Sequence, residues 1–206
     1  MTSLQPNAIE EQGLDQELEN ILNHPAPAYG EKDYWNSRYE KTPKDTFEWF
    51  QPWPQIRQYI SKYFSNQGPV LNLGCGNSNM SFDLLADGFS KVTAIDFSQI
   101  VISQMKQKIG STPSDDQSRL EFITMDATAL SFPSNAFDYV FDKGTIDTLL
   151  CCDNVGKTVQ NTMKEISRVL KPGGLFICIT YGIEKTRKKY FSNSQLGLSI
   201  IDIITL

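Results

Sequence analysis

Pro69-Val70-Leu71-Asn72-Leu73-Gly74-Cys75-Gly76-Asn77-Ser78-Asn79 decides the fold. A short apolar run ends in Gly-x-Gly, and a helix-like segment of about 79–87 follows. That pattern reads as a buried strand, a tight turn and a helix opening onto the turn. Glycine there tolerates positive φ and brings no side chain between a ligand and the backbone. The amides at the start of the helix add free donors and partial positive charge. The turn suits a ligand that carries a carboxylate or a ribose. The third glycine of a dinucleotide fingerprint is absent, because Asn79 stands in its place; that argues against a nicotinamide cofactor.

Working outward, Lys91-Val92-Thr93-Ala94-Ile95 reads as a second strand closed by Asp96, 22 residues after Gly74. A carboxylate at about that distance can grip two ribose hydroxyls. The segment carrying Ile100, Val101, Met105 and Ile109 is helical in spacing, and 111–118 reads as a polar loop. Residues 119–125 form a third strand that ends in Asp126. An acid there can accept from an exocyclic amine such as that of adenine, and the amide of Ala127 can donate to a ring nitrogen. The same carboxylate could instead cap a turn.

A fourth strand, 137–141, follows the Asn135-Ala136 turn and leads into Asp142-Lys143-Gly144-Thr145-Ile146-Asp147. A helix over 157–170 stops at Pro172-Gly173-Gly174, a fifth strand covers 175–180, and the apolar end 198–206 reads as a last strand. Strands alternating with helices predict an α/β fold: a Rossmann-like, doubly wound, mostly parallel sheet with helices on both faces. Ligands of such sheets sit at the carboxyl ends of the strands.

Upstream of the first strand, Trp35 and Tyr39 share one helix face. Phe47-Glu48-Trp49-Phe50 and Pro52-Trp53-Pro54 follow, so all three tryptophans lie between 35 and 53. They can pack on the core or close over a planar or cationic group. Residues 55–64 carry apolar positions at helical spacing. Residues 1–30 read as an extension, with a weak amphipathic helix at 8–22, and 31–206 as one domain with an aromatic lid at 31–54.

Composition narrows the function. The 206 residues are 40% hydrophobic, enough for one sizeable core, and the net charge is −5. That balance disfavours general nucleic-acid binding and is compatible with a basic protein partner. No apolar run reaches 18 residues, which predicts a soluble, cytoplasmic chain with no membrane span. Cys75, Cys151, Cys152 and Cys178 show no metal-ligand spacing and read as reduced thiols. His24, the single histidine, precedes a Pro-Ala-Pro linker and is not expected to be catalytic.

Gly74-Cys75-Gly76, Asp96, Asp126 and Leu170-Lys171-Pro172-Gly173-Gly174 together resemble a class I S-adenosylmethionine-dependent methyltransferase, from about residue 32 onward. Tyr34-Trp35-Asn36-Ser37-Arg38-Tyr39, Trp49-Phe50, Leu73 to Ser78 and Asp142 to Asp147 are similar to the branch of lysine methyltransferases that modify translation elongation factor 1-alpha, above all its short single-domain form. The resemblance implies S-adenosyl-L-methionine as cofactor, S-adenosyl-L-homocysteine as product, and that elongation factor as protein substrate. It implies that Gly74 approaches the methionine part, Asp96 holds the ribose, Phe97 lies against the adenine, and Asp126 and Ala127 read its edge. Trp35, Tyr39 and Trp49 would close over the cofactor, with Lys143 near its amino-acid end or the substrate entrance. Asp142 or Asp147 would orient the acceptor amine or take its proton, or else cap the next helix. Two alternatives stand beside this: a small-molecule methyltransferase of the same fold, and a non-catalytic scaffold that keeps the cofactor pocket. The family ordinarily ends in a helix and a two-strand hairpin. Only one apolar run follows Tyr190, so either the final antiparallel strand is absent or the chain is a truncated form.

Overall fold

In the computed structural model, which describes residues 27–43, 45–152, 154–191 and 196–206, the organising stretch folds as a buried strand. This is β1, Val70–Leu73, with all four residues buried. Such a run has no polar face to offer water, so it belongs in the middle of a sheet covered on both sides. It pairs in parallel with β2, Val92–Asp96, and with β4, Phe137–Lys143. The full order is β3-β2-β1-β4-β5, all parallel, with β3 at Leu120–Thr124 and β5 at Leu170–Ile179.

Alternate residues feed two cores. On one face Val70, Val92, Ala94, Tyr139 and Phe141 meet Trp35, Trp53, Ile56, Met80, Leu84, Val101 and Met105. On the other, Leu71, Leu73, Ile95 and Val140 meet Ile146, Val159, Met163, Ile166 and Val169. Each fully buried side chain of this kind is worth roughly 1.5–3 kcal/mol. The first face is covered by α1 (Lys32–Lys41), α2 (Trp53–Ile60), α3 (Met80–Ala86) and α4 (Gln99–Ile109). The second is covered by α6 (Thr145–Leu149) and α7 (Val155–Val169). Between these two sets lies α5 (Ser114–Arg119), and α8 (Glu184–Phe191) follows β5.

Three expectations are corrected. The polar loop contains α5, which starts after Pro113, with Asp115 and Asp116 at its positive end and Arg119 at its negative end. The fifth strand begins at Leu170, directly after α7. Phe137 opposes Leu170 and Tyr139 opposes Leu175, so Lys171-Pro172-Gly173-Gly174 bulges out of the ladder instead of separating helix from strand. Residues 198–206 form no strand. Leu198 packs on the α7 side, while the Asp202 carboxylate reaches Tyr63 and Lys62 across the sheet edge, so the tail runs past β5 without pairing. The helix expected at 8–22 lies outside the described residues.

Candidate active site

The strand order reverses between β1 and β4, and the loops after them part to leave a crevice at the carboxyl ends of the strands. Its lining contains Trp35, Tyr39, Trp49, Gly74, Asp96, Phe97, Asp126, Ala127 and Lys143. The sequence-predicted cofactor residues therefore converge on one place, from four strand ends and the N-terminal segment.

Gly74 is left-handed at φ 60°, and a Cβ there would lie 2.1 Å from Thr145 Oγ1. That hydroxyl donates to the Leu73 carbonyl at 2.9 Å, so the β1 and β4 loops touch where Gly74 has no side chain. Gly76, at φ 51°, would bring a Cβ to 3.0 Å from the Tyr39 hydroxyl. Bare backbone thus faces the crevice because neither residue could carry a side chain without displacing a neighbour.

Asp96 is the buried acid of the crevice, 5% exposed. Its carboxylate accepts from the Gly76 amide at 3.0 Å and the Ser98 amide at 2.9 Å. Burial pushes its pKa up to about 6, against the opposing pull of those two amides. Asp126 is exposed on the crevice wall just past β3, the strand next to β2, where its Oδ1 caps the following turn through the Thr128 amide and hydroxyl, both at 2.8 Å. The turn-cap reading of Asp126 holds, and it leaves the residue on the crevice wall.

Trp35 and Tyr39 stack at 5.9 Å, and Trp35 meets Trp49 at 6.3 Å. The Trp35 indole N–H donates to the Tyr29 carbonyl at 2.8 Å. The core reading describes Trp35 and Tyr39, which are buried and also form part of the crevice wall. Burial, with the Asp96 charge behind it, raises the Tyr39 phenol well above its usual value, so it stays neutral.

Asp142 and Asp147 do not line the crevice. Asp142 is fully buried. Its Oδ1 accepts from the amides of Thr145 at 2.8 Å and Ile146 at 3.2 Å, and its Oδ2 from the Cys178 thiol at 3.0 Å. It caps α6 from beneath. Asp147 faces the far side of α6, where it binds Arg187 at 2.5 Å, the Tyr181 amide at 3.0 Å and the Thr180 hydroxyl. Both carboxylates are committed to structure, so the expected handling of the acceptor amine does not follow from their positions. The helix-cap alternative describes Asp142.

Sequence reasoning missed Glu48 and Asn72. Glu48 accepts from the Ser78 hydroxyl and the Asn79 amide, both at 2.7 Å, and pairs with Lys143 at 2.5 Å. Burial alone would raise its carboxyl, but the bonds from Lys143, Ser78 and Asn79 outweigh it and hold it below the usual range. Asn72 floors the crevice and donates to Ser81 at 2.8 Å. An acid set between two aromatics was the available signal for Glu48. A lone amide within an apolar strand was the signal for Asn72, since a buried amide needs a partner.

A glycine cradle, a buried acid at ribose distance along the chain, and an aromatic wall match the donor set of S-adenosylmethionine. Fold and site define a Rossmann-like, S-adenosylmethionine-dependent methyltransferase. The chain belongs to the methyltransferase-domain family, whose model matches residues 71–178. It is 34% identical over 181 residues to EEF1A lysine methyltransferase 4 of Mus musculus, covering 84% of this chain and 69% of the relative. It is also 34% identical over 172 residues to the Mus musculus eEF1A lysine and N-terminal methyltransferase, covering 82% of this chain but only 24% of that protein. Among solved structures, a SAM-dependent methyltransferase from Methanosarcina mazei matches with a TM-score of 0.52 and 27% identity, over 64% of this chain and 61% of the other. Among the described residues, no helix is long and apolar enough to cross a membrane.

Proposed function

We propose that this chain is a protein-lysine N-methyltransferase acting on translation elongation factor 1-alpha, in the cytoplasm. The observation that carries the proposal is the convergence of Gly74, Asp96 and Asp126 on one crevice in a chain 34% identical to an EEF1A lysine methyltransferase over most of its length. Asp96 would accept the ribose hydroxyls and Phe97 would lie along the adenine. Asp126 and the Ala127 amide would read the adenine edge, and the backbone at Gly74 would face the methionine part. Residues 31–54 would act as the aromatic lid of a domain running from 31 to 206.

The bound cofactor supplies an electrophilic methyl group on a sulfonium. What the protein adds is positioning, which alone accounts for a large share of rate in a displacement of this kind. Trp35, Tyr39 and Trp49 exclude water from one wall, and loss of water lowers the pKa of an incoming lysine amine. Among the described residues, the only carboxylates lining the crevice are Asp96 and Asp126, both assigned here to the nucleoside. With both given to the nucleoside, the acceptor amine would enter the crevice neutral, its proton left with water outside.

The test is incubation of the protein with methyl-labelled cofactor and elongation factor 1-alpha, followed by mass spectrometry of the product. One or more methyl groups on a lysine of the factor is the expected result. A preparation that binds S-adenosylhomocysteine yet labels nothing on the factor would remove the substrate assignment.

A further inference from the structure

The N-terminal segment is fastened to the crevice by a polar junction around Lys143 whose acid, Glu48, has no part in the cofactor reading. Glu48 sits at its centre. Its Oε2 accepts from Lys143 Nζ at 2.5 Å and from Ser78 Oγ at 2.7 Å, while Oε1 accepts from the Asn79 amide at 2.7 Å. Lys143 also donates to the Trp49 carbonyl at 3.0 Å, and Asn77 Nδ2 donates to the Asp45 carbonyl at 2.7 Å. One carboxylate therefore joins three parts of the chain: the segment bearing Trp49, the end of the glycine loop after β1, and the end of β4. The last two are the opposing banks of the crevice.

The electrostatics make this junction depend on the Glu48 charge. The Lys143 side chain is only 5% exposed. A cation that far from water needs its counter-charge, and a buried charge without one is strongly disfavoured. If the carboxylate is lost, the ammonium regains solvation when the segment over it swings away. Trp49, next in sequence to Glu48, would move with it, and Trp49 is part of the crevice wall.

We propose that Glu48 is a positioning residue for methyl transfer: by holding Lys143, Ser78 and Asn79 together it locks the 45–50 segment shut and sets Trp49 against the cofactor crevice. This rests on the methyltransferase reading of that crevice. Glu48 does not itself line the crevice. It acts through Trp49 and the two banks.

The test uses the full chain, S-adenosylhomocysteine and three variants, E48Q, K143M and E48Q/K143M. E48Q keeps the shape but offers one acceptor oxygen instead of two and no charge. Calorimetry at a temperature where every variant is folded should show E48Q binding at least tenfold more weakly than wild type. Acrylamide quenching of tryptophan emission in the ligand-free protein should rise, because the segment is open; loss of stability alone would leave quenching of the folded protein unchanged. Both single variants break one linkage, so the double variant should bind about as K143M does. It carries no orphaned charge and stays informative if E48Q does not fold. Equal quenching, or E48Q affinity within twofold of wild type, overturns the proposal, as do two single-variant losses that multiply in the double. A wild type that binds no S-adenosylhomocysteine overturns the cofactor reading and this inference with it, an outcome distinct from the others.

Discussion

Replacing Asp96 by Asn separates what this residue does for the fold from what it does for the ligand. In the folded protein the carboxylate takes two amide hydrogen bonds, from Gly76 and Ser98. Asparagine has one acceptor oxygen, so its NH2 group must face one of those amides, and a buried unpaired donor costs about 1–3 kcal/mol. Against that, the substitution removes a carboxylate that burial makes hard to ionise. The rise in pKa from 3.8 to about 6 is worth about 3 kcal/mol against the charged form at neutral pH. The two effects oppose each other, so urea unfolding at pH 7 should place Asp96→Asn within about 2 kcal/mol of wild type. Binding has no such compensation. Hydrogen bonds to a charged acceptor are worth about 1.5–3 kcal/mol, so losing one bond's worth weakens S-adenosylhomocysteine about 10- to 150-fold. Calorimetry reads the affinity and urea unfolding the stability. Affinity within threefold of wild type would refute the assignment of Asp96 to the ribose. A large stability loss with unchanged affinity would refute it too.

Three further outcomes follow from the geometry. Gly74→Ala places a Cβ 2.1 Å from Thr145 Oγ1 on a left-handed backbone, and overpacking plus strain should cost about 2–4 kcal/mol in urea unfolding. Adding Thr145→Ala should recover the overlap but not the strain. Asp147→Ala should release Arg187 and lower the thermal midpoint, since charge-assisted bonds contribute about 1.5–3 kcal/mol each, while shifting S-adenosylhomocysteine affinity by less than threefold. Trp53, 1% exposed and bonded to Asp87 at 2.7 Å, should cost about 3–5 kcal/mol when cut to Ala in chemical denaturation.

The parts of the fold legible in the sequence were those set by local pattern. The apolar run into Gly74-Cys75-Gly76 fixed β1 and its loop, and the i, i+4 pair of Trp35 and Tyr39 gave α1. Parallel strands need crossover helices, so alternating elements led to the observed all-parallel sheet. What stayed hidden depended on partners distant in sequence. The role of Glu48 is decided by Ser78 and by Lys143, 30 and 95 residues away. Asp147 reads as a loop acid until Arg187 folds back on it. Residues 198–206 have strand-like composition, but composition supplies no neighbour, and the tail's polar anchor at Asp202 holds it to Tyr63 instead. Asp142 was readable: an acid three residues before Thr145 can take that residue's amide at the first turn of a helix.

The buried acids also set a proton balance that ligand binding should disturb. Asp96 and Asp142 both have pKa values pushed up to about 6, chiefly by burial. A carboxyl raised in this way binds its proton more tightly folded than unfolded, so it favours the folded state as pH falls from about 6 towards 4. Asp142 cannot change partners, because Thr145, Ile146 and Cys178 occupy it. Asp96 faces the crevice, where two hydroxyls donated by a ribose would favour its ionised form and draw its pKa below 6. Binding at pH 5.5 must then expel a fraction of a proton, approaching zero release by pH 7.5, where Asp96 is already charged. Calorimetric enthalpies measured at pH 5.5 in buffers of different ionisation enthalpy should therefore diverge, and those at pH 7.5 should agree. Asp96→Asn should abolish the divergence. If the wild-type enthalpies at pH 5.5 are buffer-independent, the carboxylate is not the group the ligand engages, and the ribose contact must be sought elsewhere along the crevice.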